Sequence, residues 1–286
     1  MTKHPYMICL CIFFVTVMFT SDTLAGREIP DDNLSYPVLI RLEGSGTASG
    51  FYASDWKSLY FVTASHVLFS DQGVTLRTLR AELLSYPANP KDIRKVIISL
   101  DLALLQTQSQ IRVHKTHDVT IVRMAALNEK KEINFVQGVQ FKQETEERNI
   151  VSVDITSSVK KFEDVFEANE VYIFGYPTSL GIEQIKQIDY ERPLLRKGII
   201  AGRNPQNRTL IVDCPVYFGN SGGPVVEVEH KGIGGTDFLV VGVVSQFVPF
   251  KEEFVNKPYG FTNIQISNSG YAIVTPMDAV LELLWK

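Results

Sequence analysis

The chain is poor in cysteine. It has three cysteines in 286 residues, and two of them, Cys9 and Cys11, lie within the first 25. Cys214 is then alone in the rest of the chain, which excludes an intramolecular disulfide there and also a zinc site built on several thiolates. Since Cys214 lies in the apolar segment 210–216, we expect it to be a small, buried hydrophobic residue.

Long apolar runs are also missing. The run Met7–Phe19 is uncharged but only about 13 residues long, and a membrane-spanning helix needs about 20. This run follows Lys3 and is followed by Thr23–Ala25, which has small residues where a signal peptidase cleaves. We therefore predict a signal peptide at residues 1–25, a secreted or periplasmic protein, and no membrane contact after cleavage. An uncleaved membrane anchor is the alternative.

The sequence has no excess of basic residues. Lys and Arg number 28 against 32 Asp and Glu, and the net charge is −4. No basic face is interleaved with aromatic residues, so we expect no nucleic-acid partner. His114 and His117 lack further metal ligands nearby, and Gly44–Gly50 has the wrong spacing for a phosphate loop. We expect neither a metal nor another cofactor.

What the chain does have is the turn sequence Gly219–Pro224, Gly-Asn-Ser-Gly-Gly-Pro. Glycines on both sides of Ser221 allow positive φ angles, so the serine hydroxyl can stand bare on a tight turn. The backbone amides of Gly219 and Ser221 can then point into one space and bind an oxyanion. An ordinary hairpin turn is the alternative interpretation, because the same residue types are common in turns.

A nucleophilic serine needs a base, and His66 is the best candidate. It follows the β-rich segment Leu59–Thr63, so it lies at the rim of a strand, and the small residues Ala64 and Ser65 leave space beside it. The other histidines lie in the leader segment or in polar stretches.

Two aspartates compete for the role of the acid. Asp101 precedes Leu102–Leu105, and Asp118 precedes Val119–Met124, which has the clearer period-2 alternation of a strand. About six strand-like segments occur between residues 36 and 124, enough for a small barrel. Asp101 falls inside the fifth segment and Asp118 at the start of the sixth. We prefer Asp118, and Asp101 is the alternative.

Together these motifs resemble the trypsin-like, chymotrypsin-fold serine peptidases over most of the chain. The motifs are Thr63–His66, His117–Val122 and Gly219–Pro224, in the family's order of His, Asp and Ser. The resemblance implies that Ser221 is the nucleophile, His66 the base and Asp118 the residue that orients His66. It also implies a polypeptide substrate and hydrolysis of peptide bonds through an acyl-enzyme.

The fold implied by the resemblance is all-β. It comprises two six-stranded antiparallel β-barrels of the chymotrypsin-like type and a short C-terminal helix. We expect the first barrel at residues 26–127, an interdomain linker with a short helix at 128–168, and the second barrel with the terminal helix at 169–286.

The sequence departs from the animal digestive members of this family. Those enzymes have Asp before the serine, which pairs with a newly freed amino terminus on activation, whereas this chain has Asn220. Bacterial members share its Gly-Asn-Ser-Gly-Gly-Pro sequence, and the lack of disulfides also favours a bacterial exported protein. We expect no PDZ domain, because the 65 residues after Ser221 are needed to complete the second barrel.

The substrate pocket is predicted from three positions. Pro215 stands where trypsins have the Asp that recognises Lys or Arg, so a basic P1 residue is not favoured. Ser245 ends the strand expected to pair with substrate, and Phe247 stands where a glycine usually opens the pocket. A ring at that position favours small apolar P1 residues. The alternative function is a catalytically blocked fold that binds or senses polypeptides. Oligomeric state is not predicted.

Overall fold

In a computed structural model, the described residues are 29–71, 74–89, 91–130, 132–142, 146, 149–178, 185–232 and 235–285. The predicted signal peptide, residues 1–25, lies outside them. Four α-helices occur in this part of the chain: α1 (Asp31–Leu34), α2 (Ser65–Leu68), α3 (Leu102–Thr107) and α4 (Met277–Leu284). Among the described residues, no helix is both long enough and apolar enough to cross a membrane.

The first half of the chain forms a sheet of ten described strands. They are β1 (Pro37–Leu42), β2 (Gly46–Ser54), β3 (Ser58–Thr63), β4 (Arg80–Ser85), β5 (Val96–Asp101), β6 (Ile111–Val113), β7 (Thr120–Leu127), β8 (Ile133–Phe135), β9 (Val139–Lys142) and β10 (Ser152–Asp154). Eight of them follow the order β6-β7-β3-β2-β1-β4-β5-β9, while β8 pairs with β7, and β10 pairs in parallel with β2. The other pairings are antiparallel.

Three of these ten strands lie in the segment that we predicted to be a linker. β8 pairs with β7 near one end of the sheet, and β9 pairs with β5 at the other end, so residues 133–142 connect the two ends. Polar residues dominate the predicted linker as a whole, but half of residues 133–142 are apolar. Phe135 and Phe141 stack on each other and pack against the first core. That packing explains why this segment joins the sheet. The helix expected there is a short 3₁₀ turn, Phe162–Asp164.

The second half of the chain forms a closed barrel of six strands. They are β11 (Glu170–Gly175), β12 (Leu194–Asn204), β13 (Thr209–Asp213), β14 (Pro224–His230), β15 (Thr236–Asn256) and β16 (Phe261–Pro276). Their order is β11-β12-β13-β16-β15-β14. The predicted all-β, chymotrypsin-like fold with a C-terminal helix is confirmed, although the first sheet has ten strands where we expected six.

Alternation along the strands builds separate cores. In β3, Leu59 and Phe61 face the core inside the first sheet, whereas Tyr60 and Val62 face a cluster that also includes Phe174 of the barrel. Helix α4 contributes a run of buried apolar side chains to that same cluster. The two halves are therefore joined by a shared core, and the C-terminal helix covers it.

A buried cluster of charges attaches the connecting segment to the barrel. Lys160 Nζ lies 3.3 Å from an oxygen of Glu227 and 3.1 Å from an oxygen of Glu229. Glu227 is fully buried and also accepts a hydrogen bond from Asn169. The Lys160 amide donates to the Val240 carbonyl at 3.0 Å, so both backbone and side chain are held.

Replacing Lys160 by Met should lower the free energy of unfolding by about 3 kcal/mol, because it leaves the buried Glu227 carboxylate without its cation. Chemical denaturation would measure the loss. Lys142→Met is the matched control, since Lys142 pairs with Glu82 while its side chain is 56% exposed. The control should show almost no loss. Equal losses in the two variants would contradict the prediction.

Candidate active site

Ser221 lies in the loop between β13 and β14, and two glycines of this loop cannot be replaced without strain. Gly219 has φ +90° and Gly222 has φ +87°, values that favour glycine. A Cβ on Gly219 would lie 2.2 Å from the Tyr176 carbonyl oxygen, and one on Gly222 would lie 2.2 Å from the Ser49 carbonyl oxygen. The positive φ angles and the closely approaching carbonyl oxygens together explain why glycines occupy positions 219 and 222.

The amides of this loop fall into two groups. Those of Asn220, Gly222 and Gly223 donate to backbone carbonyls at 3.0, 2.8 and 3.0 Å. Among the described residues, none accepts a hydrogen bond from the amides of Gly219 and Ser221. These are the two amides predicted to bind an oxyanion, and both residues line the same cleft. They are therefore available as donors to a ligand.

Ser49, a fully buried residue of β2, holds the loop from the first sheet. Its amide donates to the Ser221 carbonyl at 3.0 Å, and its hydroxyl donates to the Gly219 carbonyl at 2.6 Å. The same hydroxyl accepts from the Tyr176 amide at 3.0 Å. Because the carbonyls of Gly219 and Ser221 are held in this way, their peptide planes are fixed. No local sequence pattern marks Ser49, since its hydroxyl partners Gly219 and Tyr176 lie 170 and 127 positions away.

His66 and Asp118 are brought together by the first sheet. His66 lies in α2 directly after β3, and Asp118 lies two residues before β7, which pairs with β3. The His66 ring is 2.7 Å from Asp118 Oδ2 through Nδ1, and the His66 amide donates to Asp118 Oδ1 at 3.0 Å. The hydroxyls of Ser65 and Thr120 are 2.8 Å apart and join the same two segments. This arrangement leaves Nε2 of His66 directed away from Asp118.

Ser245 of β15 connects Asp118 to the side of the cleft that carries Ser221. Its hydroxyl donates to Asp118 Oδ2 at 2.6 Å, and its carbonyl accepts a hydrogen bond from the Ser221 hydroxyl at 3.3 Å. We had placed Ser245 in the substrate pocket, and it does line the cleft. Its contact with Asp118 was not foreseen, because that contact spans 127 positions of sequence.

Asp118 is half-buried, and its environment changes its pKa. Burial alone would raise the pKa, but hydrogen bonds and charge from His66, together with the Ser245 hydroxyl, outweigh burial and lower it below the ordinary value of 3.8. The Asp118 carboxylate is therefore charged at neutral pH.

The competing aspartate has a different place. Asp101 ends β5 and caps helix α3, where its side chain accepts a hydrogen bond from the Leu104 amide at 3.0 Å. We expected this aspartate to lie within a strand. The following Leu-Ala-Leu-Leu sequence fits a buried helix as well as a strand, and the cap decides for the helix.

A cleft of about 1340 Å³ contains His66, Asp118, Ser221, Gly219, Ser245 and Phe247. Among the described lining residues, Asp118 is the only acidic one. Pro215 is not in this lining, whereas the neighbouring Val216 is, so the predicted pocket is displaced by one residue along the loop. The Asn268 amide group donates to the Val216 carbonyl at 2.6 Å and supports this wall.

Two aromatic rings stand together in the cleft lining. Phe218 and Phe247 have ring centroids 5.9 Å apart and an interplanar angle of 80°, an edge-to-face contact. Phe218 is 73% exposed, and Phe247 packs against the second-barrel core. Of these two rings, only Phe247 was predicted from the sequence to belong to the substrate pocket.

A family model described as "Trypsin-like peptidase domain" matches residues 48–234. Among curated proteins, none matches the chain.

Several solved structures are similar to the chain. A structure of Deg5 has 17% identity and a TM-score of 0.48, and the match covers 88% of each chain. The protease Anisep from Arthrobacter nicotinovorans has 15% identity and a TM-score of 0.47, covering 86% of this chain and 91% of its own. An HtrA-type protease, AlgW with a tripeptide, has 13% identity and a TM-score of 0.45, covering 88% of this chain and 60% of its own.

The lowered pKa of Asp118 predicts how stability depends on pH. Its ionised form stabilises the folded state above pH 3.8, and this contribution is lost as the pH falls through the lower folded-state pKa. The free energy of unfolding of the wild type minus that of Asp118→Asn should therefore shrink as the pH falls below about 4. Urea titrations at each pH would measure it, and a pH-independent difference would contradict the prediction.

Proposed function

Since the chain belongs to the trypsin-like peptidase family, we propose that it is an exported serine endopeptidase that hydrolyses peptide bonds through an acyl-enzyme on Ser221. The observation that carries the proposal is the bonded series Ser245, Asp118 and His66, which opens onto the cleft that Ser221 lines. The two available amides of Gly219 and Ser221 supply the remaining part of such a site.

In the first step, the Ser221 hydroxyl oxygen attacks the substrate carbonyl carbon while His66 Nε2 accepts the hydroxyl proton. Asp118 holds the Nδ1–H tautomer and stabilises the imidazolium that forms, at the observed contact of 2.7 Å. The carbonyl oxygen becomes an oxyanion, which the amides of Gly219 and Ser221 stabilise. His66 then returns the proton to the leaving amine, and the C–N bond breaks.

Hydrolysis of the acyl-enzyme repeats these roles with water. His66 takes a proton from the water as its oxygen attacks the ester carbonyl, and the proton then passes to the Ser221 oxygen as the ester bond breaks. The overall reaction is balanced: one peptide bond and one water molecule give a carboxylic acid and an amine, and the serine is regenerated.

The Ser221 hydroxyl must turn before it can react. In the structure it donates to the Ser245 carbonyl at 3.3 Å. A change of its χ1 rotamer would redirect the hydroxyl toward His66. Hydrogen bonds between a nucleophile and its base often become short only when substrate is bound. The same observation supports the second candidate, a fold that holds polypeptides without cutting them, because a serine retained by Ser245 would not attack.

Export is part of the proposal and is supported by sequence outside the described residues. The leader segment 1–25 has the positive start, apolar run and small-residue end of a signal peptide. Cys214 is a free, buried thiol, and burial raises its pKa, so it is unreactive. Its inertness suits an oxidising compartment.

A fluorophosphonate probe should label the folded wild type and should not label Ser221→Ala, since the probe reacts with an activated serine. Asp118→Asn should lower kcat/KM for peptide hydrolysis about 10⁴-fold, because the His66 tautomer is no longer fixed. Asp101→Asn is the matched control, as Asn caps a helix as well as Asp does, and it should keep full labelling. A folded wild type that resists the probe would favour the binding module.

The cleft lining predicts substrate preference. Its one described carboxylate is bonded to His66 and Ser245, so none remains to pair with a basic P1 side chain. Phe247 and Phe218 contact each other in the lining of the cleft that Ser221 also lines, and their rings occupy part of its space.

The wild type should therefore cleave peptides with Ala or Val at P1 with a higher kcat/KM than peptides with Arg. Phe247→Gly should raise kcat/KM for a Phe P1 residue relative to Ala, because it removes the ring. A fluorogenic peptide series would measure both ratios. Efficient cleavage after Arg by the wild type would refute this specificity.

A further inference from the structure

Strands β15 and β16 continue beyond the barrel as a two-stranded ribbon. The ribbon comprises residues 249–268, with register pairs from Pro249 and Asn268 at the base to Asn256 and Phe261 at the tip. A 3₁₀ turn, Lys257–Tyr259, and Gly260 at φ +66° close it. In the described chain, β14 pairs with β15 only as far as Val243, so the edge of β15 from Ser245 to Asn256 is open.

Both faces of the ribbon carry exposed apolar side chains. Because paired residues share a face, Phe250, Phe254 and Phe261 lie on one face, and Val255, Ile264 and Ile266 lie on the other. All six side chains are at least half exposed. An isolated two-stranded ribbon is marginally stable in water, and apolar surface beside an open edge is typical of a site that binds another chain.

Charge gives the ribbon little selectivity. Its two lysines, Lys251 and Lys257, balance Glu252 and Glu253, and Lys251 forms an ion pair with Glu253. Recognition at this surface therefore rests on backbone hydrogen bonds and apolar contacts.

The position of the ribbon points to its occupant. The same strand, β15, carries Ser245, which contacts both Ser221 and Asp118, and Phe247, which lines the cleft; the ribbon starts two residues later. At its base, Asn268 bonds to the cleft wall through the Val216 carbonyl. The open edge thus follows one strand from Ser245 to the ribbon tip, with register shifts between Val244 and Gln246 and between Phe247 and Pro249.

The strand at Ser245 is already expected to pair with substrate. We propose that the open edge of the ribbon beyond it, residues 249–256, continues this pairing with the substrate as an added strand and so extends recognition farther along the polypeptide to the N-terminal side of the scissile bond. The direction follows from antiparallel pairing: β15 runs away from Ser221, so an antiparallel partner runs toward Ser221 and lays its N-terminal residues along the ribbon. The proposal rests on the proposed peptidase function.

The geometry also defines the substrate class. Twelve residues, Ser245 to Asn256, give an edge about 40 Å long. A substrate must therefore present an extended segment of about ten residues upstream of the cleaved bond. Pro249 has no N–H, so the pairing is interrupted there. Alternate residues of an added strand share a face, so apolar residues at every second position would all reach the same one of the ribbon's two apolar faces. Unfolded, apolar-rich polypeptides meet these requirements.

The test compares three peptides with one cleavage site: a short peptide of four residues on each side, one with eight added N-terminal residues that alternate apolar and polar, and one with the same eight added at the C-terminus. The N-extended peptide should show at least about tenfold higher kcat/KM than the short one, and the C-extended peptide should not. Equal kcat/KM for all three would overturn the proposal.

Backbone pairing is tested separately from apolar contact. Strand addition uses alternate amides of the added chain, so N-methylation of one alternate set should abolish the gain while N-methylation of the other set should preserve it. Equal losses from both sets would overturn the strand-addition geometry.

The ribbon's role is tested with Phe250→Ser/Phe254→Ser. The ratio of kcat/KM for the N-extended and short peptides should fall toward one in this variant. Val74→Ser/Ile93→Ser is the matched control, since both residues are more than 70% exposed and lie outside the ribbon and the cleft, and it should leave the ratio unchanged. An unchanged ratio in the Phe variant would overturn the assignment, as would a wild-type dimer that this variant dissociates while the peptide ratio stays at one.

Binding to Ser221→Ala separates this proposal from the proposed function. A fluorescently labelled N-extended peptide should bind Ser221→Ala at least about tenfold more tightly than the short peptide, whether or not the wild type cleaves either. Tight binding without cleavage by the wild type would refute the peptidase function and support the ribbon. Equal Kd values would refute the ribbon.

Discussion

The position of Ser221 depends on hydrogen bonds from a residue of the other sheet. Ser49 donates through its amide to the Ser221 carbonyl and through its hydroxyl to the Gly219 carbonyl. These bonds fix the peptide planes that follow Gly219 and Ser221. The planes that carry the two free amides are held through their own carbonyls, since Phe218 accepts from the Thr178 amide at 2.7 Å and Asn220 accepts from the Gly223 amide at 3.0 Å. Since Ser49 is fully buried, loss of either bond would leave a polar group unsatisfied in the interior. The loop that carries Ser221 therefore has its geometry only while both halves of the fold are in contact.

The division of the site between the halves follows the same logic. His66 and Asp118 come from the first sheet, while Ser221 and Ser245 come from the barrel, and Ser245 reaches across to the Asp118 carboxylate. The shared core between the halves, completed by helix α4, keeps these groups in register. Small movements of one half against the other would change the distances of Ser221 and Ser245 from His66 and Asp118, while the His66–Asp118 contact would stay as it is.

Local patterns in the sequence were enough to predict part of this arrangement. The glycines around Ser221 and the strand before His66 are patterns that span only a few residues, so both features could be predicted from the local sequence. Asp118 and Asp101 could not be separated with the same certainty, since the Leu-rich segment after Asp101 suits a helix or a strand. The roles of Ser49 and Ser245 arise from contacts over 170 and 127 positions, which no local pattern contains. The strands β8 and β9 were missed because two partly buried aromatic residues, Phe135 and Phe141, outweighed the polar composition of the predicted linker.

Asn220 has a consequence for how such a protein is controlled. Its side chain is 2% exposed, and its Oδ1 accepts a hydrogen bond from the Tyr217 amide at 3.0 Å, which closes the loop around Ser221. This latch is electrically neutral, so it needs no counter-ion and no newly cut chain end. The loop is complete as soon as folding is complete. In a peptidase built in this way, the rate of cleavage is limited by the availability of substrate. It depends on how often, and in which compartment, a substrate polypeptide unfolds and becomes accessible as an extended strand.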